Sequence, residues 1–66
     1  MLEELRQELE RQERSAAWLA RKTDFDPSYV TRVLNGERKP SPVFQARAAE
    51  ALGVAADQLF TQALPA

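Results

Sequence analysis

Neither cysteine nor histidine occurs among the 66 residues. The first absence removes disulfide staples and thiolate metal ligands; together they remove the Cys and His nucleophiles and the usual general base near neutral pH. The ten acidic residues include no Asp-x-Asp-x-Asp-Gly spacing of the kind that wraps a hard cation. The chain is therefore read as non-enzymatic, with no metal and no cofactor. Apolar runs extend over a few residues only, too short for a membrane span or a signal segment, and a cytoplasmic location is the expectation. A chain of this length buries roughly 60% of the surface its unfolded form exposes. One domain over residues 1–66, with one continuous core, is the reading.

What is present is charge, and its order matters more than its total. Nine basic and ten acidic side chains give a formal net of −1, which by itself speaks weakly against nucleic acid. Residues 1–14 carry a net of −2, residues 15–41 a net of +2 and residues 42–66 a net of −1. The centre is basic and both flanks are acidic.

No stretch alternates with period two for long enough to make a strand, and the apolar spacing is helical throughout. Leu2, Leu5 and Leu9 fall on one side of a first helix over residues 1–13, whose outward face is solvated, with Arg6–Glu10 and Gln7–Arg11 as compatible neighbours. Ser15 reads as the N-cap of a second helix through Lys22, broken at residues 23–26. Asp26 followed by Pro27 is a cap plus a proline where a missing N–H costs nothing, and starts a third helix that runs to about Asn35, stopped by Gly36. Ser41 and Pro42 repeat the device for a fourth helix, Val43 to Leu52, ended by Gly53. A fifth, about Ala56 to Gln62, completes a compact all-α domain of five helices.

Two short helices joined by a tight turn, with Ala20 small enough for a close crossing and Leu19, Phe25, Val30 and Val33 beneath it, read as a helix-turn-helix at helices two and three. Val30, Val33 and Leu34 face inward on the third helix. Ser28, Thr31 and Arg32 have the same spacing and face outward: short hydroxyls and one forked donor, placed near the helix N-terminus and suited to reading base edges in a major groove.

The segments Ser15 to Lys22, Phe25 to Val30, Val33 to Ser41 and Ala48 to Val54, with Asp57 and Leu59, resemble the Cro/repressor-type (Xre) helix-turn-helix family over roughly residues 5–60. The Asn35-Gly36 and Arg38…Pro40 loop strengthens the match. The resemblance implies a lambda-repressor-like five-helix domain of bacterial or phage-type context, whose recognition helix, about residues 27–35, enters double-stranded DNA. It also implies a homodimer on a two-fold operator and a role as a transcriptional repressor. Arg32 is then the expected base reader, with Ser28 and Thr31 beside it. Tyr29 touches base or backbone, or lies flat on the domain. Asn35, Arg38, Lys39 and Ser41, with the free N–H groups opening helix four, anchor phosphates. Arg14, Arg21 and Lys22 are additional phosphate candidates.

Departures from the family pattern are equally definite. Asp24 stands where glycine is common in the turn, and Asp tolerates the left-handed conformation better than most residues. Ala16 replaces a glutamine used on DNA. Leu9 and Leu34 occupy positions where many relatives carry an Arg–Glu ion pair, which suggests an apolar contact in its place. Trp18 is read as core packing. Phe44, Ala48, Leu52, Leu59 and Phe60 are read as core or partly as a dimer seam, with Leu64 in a tail over residues 61–66 as a further hint of association. The competing reading is a protein-interaction module, such as an antitoxin that caps a toxin, with a protein partner instead of DNA.

Overall fold

Among the described residues, four helices are followed within two positions by a residue of positive φ, and those four stops set the architecture. The computed structural model describes residues 2–60. Its elements are α1 (Glu3–Arg11), α2 (Ala16–Thr23), α3 (Pro27–Leu34), α4 (Pro42–Leu52) and α5 (Ala56–Leu59). No strand occurs among the described residues. The left-handed residues are Glu13, Asp24, Gly36 and Gly53, with φ of 56°, 60°, 79° and 74°. After each, the following N–H reaches five residues back: Arg14 to the Leu9 carbonyl at 2.8 Å, Phe25 to Ala20 at 3.1 Å, Glu37 to Arg32 at 2.8 Å and Val54 to Ala49 at 3.2 Å. That bond satisfies a carbonyl the helix end would otherwise leave open and turns the chain sharply. An added Cβ at Gly53 would meet nothing within 4 Å, so the positive φ alone favours glycine there.

The starts follow the expected chemistry. Ser15 Oγ accepts the Trp18 N–H at 3.1 Å, Asp26 Oδ1 the Ser28 N–H at 2.8 Å and Ser41 Oγ the Phe44 N–H at 3.2 Å. Pro27 and Pro42 stand at the first helical positions. The third helix stops at Leu34, with Asn35 as its C-cap. The first is shorter than its leucine spacing predicts, because Glu13 already leaves the helical region. The predicted extension of the fifth helix to Gln62, the 61–66 tail with Leu64, and Met1 lie outside the described residues.

One core serves all five helices: Leu2, Leu5, Leu9, Leu19, Ala20, Val30, Val33, Phe44, Ala48, Leu52, Leu59 and Phe60 are buried together. Leu34 is only partly buried against this core, less inward than its spacing suggests. Leu9 lies within that core and Leu34 against it. Phe44 sits at the centre, edge-on to Phe25, Tyr29 and Phe60 at centroid distances of 5.2, 5.5 and 6.1 Å. Phe44, Ala48, Leu52, Leu59 and Phe60 are each at most 5% exposed within one chain, so a single copy already covers the surface read as a partial dimer seam.

Side chains bind helix ends across long sequence distances. Gln12 Nε2 donates to the Leu52 carbonyl at 2.9 Å and to Glu8 at 2.7 Å. Glu8 also pairs with Arg11 at 2.8 Å and is buried, so the solvated face of α1 is narrower than its charge pattern suggests.

Candidate nucleic-acid interface

The helix-turn-helix joint is built from α2, α3 and the three residues between them. Asp24 takes the left-handed conformation (φ 60°, ψ 37°), as its position in the turn predicts, and Ala20, 2% exposed, allows the close crossing. Thr23 is fully buried and returns its hydroxyl proton to the Leu19 carbonyl at 2.7 Å. α2 packs on both α3 and α4, so the orientation of α3 is fixed from beneath.

On α3, Val30 and Val33 are fully buried, while Ser28, Thr31 and Arg32 are exposed. Apolar core thus anchors one face and leaves the other to solvent. Ser28 donates its hydroxyl to Asp26, and Thr31 donates its own to the Pro27 carbonyl at 3.0 Å. In this arrangement both hydroxyls present lone pairs outward and would meet a donor such as cytosine or adenine amino hydrogen. Arg32 lies in the last turn of the eight-residue helix, not near its N-terminus as expected; the short helix leaves that end to Ser28. Its guanidinium has no hydrogen-bond partner among the described residues.

Asp26, which starts this helix, has its carboxyl held below the ordinary 3.8, first by the Ser28 hydroxyl, then by the Ser28 N–H, with the Arg32 charge adding to the effect. A value lower when folded than when unfolded means that the cap stabilises above the unfolded value and its contribution is lost as pH falls through the folded one. The Ser28 amide resonance, followed against pH, is expected to titrate with a midpoint below that ordinary value; a midpoint at or above it would show that the cap does not favour the ionised form.

The loop after α3 brings Asn35, Arg38 and Lys39 to the surface, all exposed. Tyr29 holds it. Its hydroxyl accepts the Ser41 N–H at 3.0 Å and lies 3.5 Å from the Lys39 carbonyl. Its ring stacks on Phe25 at 5.0 Å and an interplanar angle of 25°. The Arg38 guanidinium is 5.7 Å from the Tyr29 ring centre. Of the three placements the sequence leaves open for Tyr29, the ring takes the one against the domain. Tyr29→Phe is expected to leave the part-buried Ser41 N–H without its partner and to cost about 1 kcal/mol in urea unfolding; an unchanged midpoint would mean that the hydroxyl holds nothing.

The free N–H groups expected at the start of α4 are fewer than the sequence suggests. Ser41 N–H goes to Tyr29, Pro42 has none, and Phe44 N–H goes to the Ser41 side chain, which leaves Val43. The Ser41 hydroxyl accepts that bond and keeps its own proton to donate. Arg14, just before α2, and Lys22, on it, both rest near the Trp18 ring, at 4.7 and 5.9 Å from its centre. Trp18 is half-buried and packs on the core's edge. Arg21 is exposed.

Residues 1–60 match a family model described as a helix-turn-helix domain. The chain belongs to the helix-turn-helix domain family. No curated protein and no solved structure matches it. For a helix-turn-helix domain the exposed side of the second helix of the motif is the nucleic-acid side, and membership supports a DNA-binding regulator in general. Such domains are typically non-enzymatic. No helix among the described residues is long and apolar enough to cross a membrane.

One residue that matters to the motif carried no local signal. Arg47 on α4 donates Nη1 to the Thr23 carbonyl at 2.9 Å and lies 5.8 Å from the centre of the Phe25 ring. Nothing in the neighbourhood of residue 47 announces a partner 24 positions earlier.

Proposed function

We propose that this helix-turn-helix domain is a sequence-specific transcriptional regulator of the Cro/repressor type, acting as a repressor and binding a two-fold operator as a homodimer. The observation that supports it most is the division of α3: Val30 and Val33 are at 0% exposure while Ser28, Thr31 and Arg32 stand free on the other side. Arg32 offers a bidentate fork to guanine O6 and N7, and Ser28 and Thr31 accept from neighbouring base edges. Asn35, Arg38, Lys39 and the Ser41 hydroxyl hold phosphates, and Arg14, Arg21 and Lys22 add charge alongside. Tyr29 serves the DNA contact through the loop it braces. Two such helices in a dimer address half-sites about 34–36 Å apart. Phosphate neutralisation supplies much of the affinity, so binding falls steeply with salt.

Selection of bound duplexes from a random pool tests this reading. The expected result is a recurring motif with two-fold symmetry. A pool that stays random, while the protein is recovered with a stoichiometric protein partner, would replace the regulator with the interaction module.

A further inference from the structure

The joint between α2 and α3 contains a buried acceptor that the two helices cannot satisfy. Thr23 is 0% exposed, and its carbonyl belongs to the last turn of α2, where no later helical N–H is available. The backbone N–H groups of Asp24 and Phe25 both turn back to Ala20. A buried carbonyl without a partner destabilises its conformation strongly. Here the donor comes from outside the motif: Arg47 Nη1, 2.9 Å away.

The same guanidinium lies by the Phe25 ring, and Phe25 is stacked on Tyr29 of α3. Arg47 therefore grips the connection on both sides of its left-handed residue. It fixes the peptide plane that precedes Asp24 and the aromatic ring that follows it. A positive charge at that place also complements the negative end of α2. Asp24, unlike glycine, needs its left-handed conformation supported, and the peptide fixed by Arg47 is the one that joins Thr23 to Asp24.

We propose that Arg47 is a positioning residue for DNA recognition: by clamping the turn it sets the angle at which α3 leaves α2, and so the register of Arg32 on the bases. This rests on the proposed function, but one arm of its test does not. A phosphate contact by Arg47 and a general contribution to stability are the competing roles, and each gives a different result.

Arg47→Met keeps most of the apolar stem and removes donor and charge. In the DNA-free protein, its amide resonances are expected to move at residues 23–34, with those of α1 unchanged; movement confined to α4 would overturn the proposal whatever the protein binds. With a duplex chosen by the wild-type protein and a scrambled duplex as probes, the preference for the chosen duplex is expected to fall about tenfold, within the range of one base contact. Affinity for the scrambled duplex and the salt slope stay as in the wild type. Equal weakening on both duplexes with a slope lower by about one would make Arg47 a phosphate contact instead. An unchanged preference in a folded variant overturns the proposal as well. Should Arg47→Met not fold, Arg47→Lys replaces it: the charge is kept but the fork is lost, and the preference is expected to drop severalfold at an unchanged slope, an unchanged preference again counting against the clamp. A wild-type protein with no preference for any duplex would sink the regulator reading, and the DNA-free arm would still decide the role of Arg47 in the joint.

Discussion

Phe44→Ala is expected to leave the chain largely unfolded at room temperature. The ring is fully buried and meets Phe25, Tyr29 and Phe60 edge-on, so its removal takes contacts from α3, the C-cap of α5 and the motif's turn at once. Truncating a buried Phe to Ala costs about 3–5 kcal/mol, and a core in a domain under roughly 70–80 residues rarely supplies more than about 3–5 kcal/mol in total. The two figures are of the same size, which is why one side chain decides the state of the whole. Far-UV circular dichroism against urea measures it. A loss of less than about 1 kcal/mol in unfolding free energy would mean that the aromatic cluster is not the centre of the core.

Arg32→Ala carries the second largest effect, on recognition instead of stability. The side chain is exposed, so its removal should leave the unfolding midpoint nearly unchanged. Binding to a selected duplex is expected to weaken by about 1–3 kcal/mol, with the preference lost at one base position and kept at the others. Lys39→Ala gives the contrasting pattern, a nearly uniform loss over all duplexes and a salt slope lower by about one. Competition binding against duplexes varied one position at a time separates the two. A uniform loss for Arg32→Ala would move that residue from the base-reading set to the phosphate set.

The helix boundaries were largely legible because the chemistry that sets them is local. Ser15, Asp26 with Pro27, Ser41 with Pro42, Gly36 and Gly53 act within four residues of themselves, and each does in the structure what its neighbourhood implies. Glu13 was not legible as a helix stop, since glutamate has no preference for the left-handed region and gives no sign of it. The outward face of α3 follows from helical spacing. What binds that helix in place does not. The bonds from Gln12 to Leu52 and from Arg47 to Thr23 span 40 and 24 residues, and a polar side chain on a helix gives no indication of which distant carbonyl it will satisfy.

Tyr29 and Ser41 show the same limit from another side. The fold commits the Tyr29 hydroxyl to the Ser41 amide, twelve positions away, and one acceptor position of the Ser41 oxygen to the Phe44 amide, while the Ser41 proton stays available to donate. Hydrogen-bonding capacity is readable from sequence; its allocation depends on tertiary neighbours.

For a DNA-binding regulator of this architecture, the free side of α3 and the loop after it must meet the duplex. An NMR titration of the ¹⁵N-labelled chain with a selected duplex examines this directly. The largest amide shifts are expected at residues 28–32, 35–39 and 41, with α1 little changed. Largest shifts on α1, with residues 28–32 silent, would contradict it.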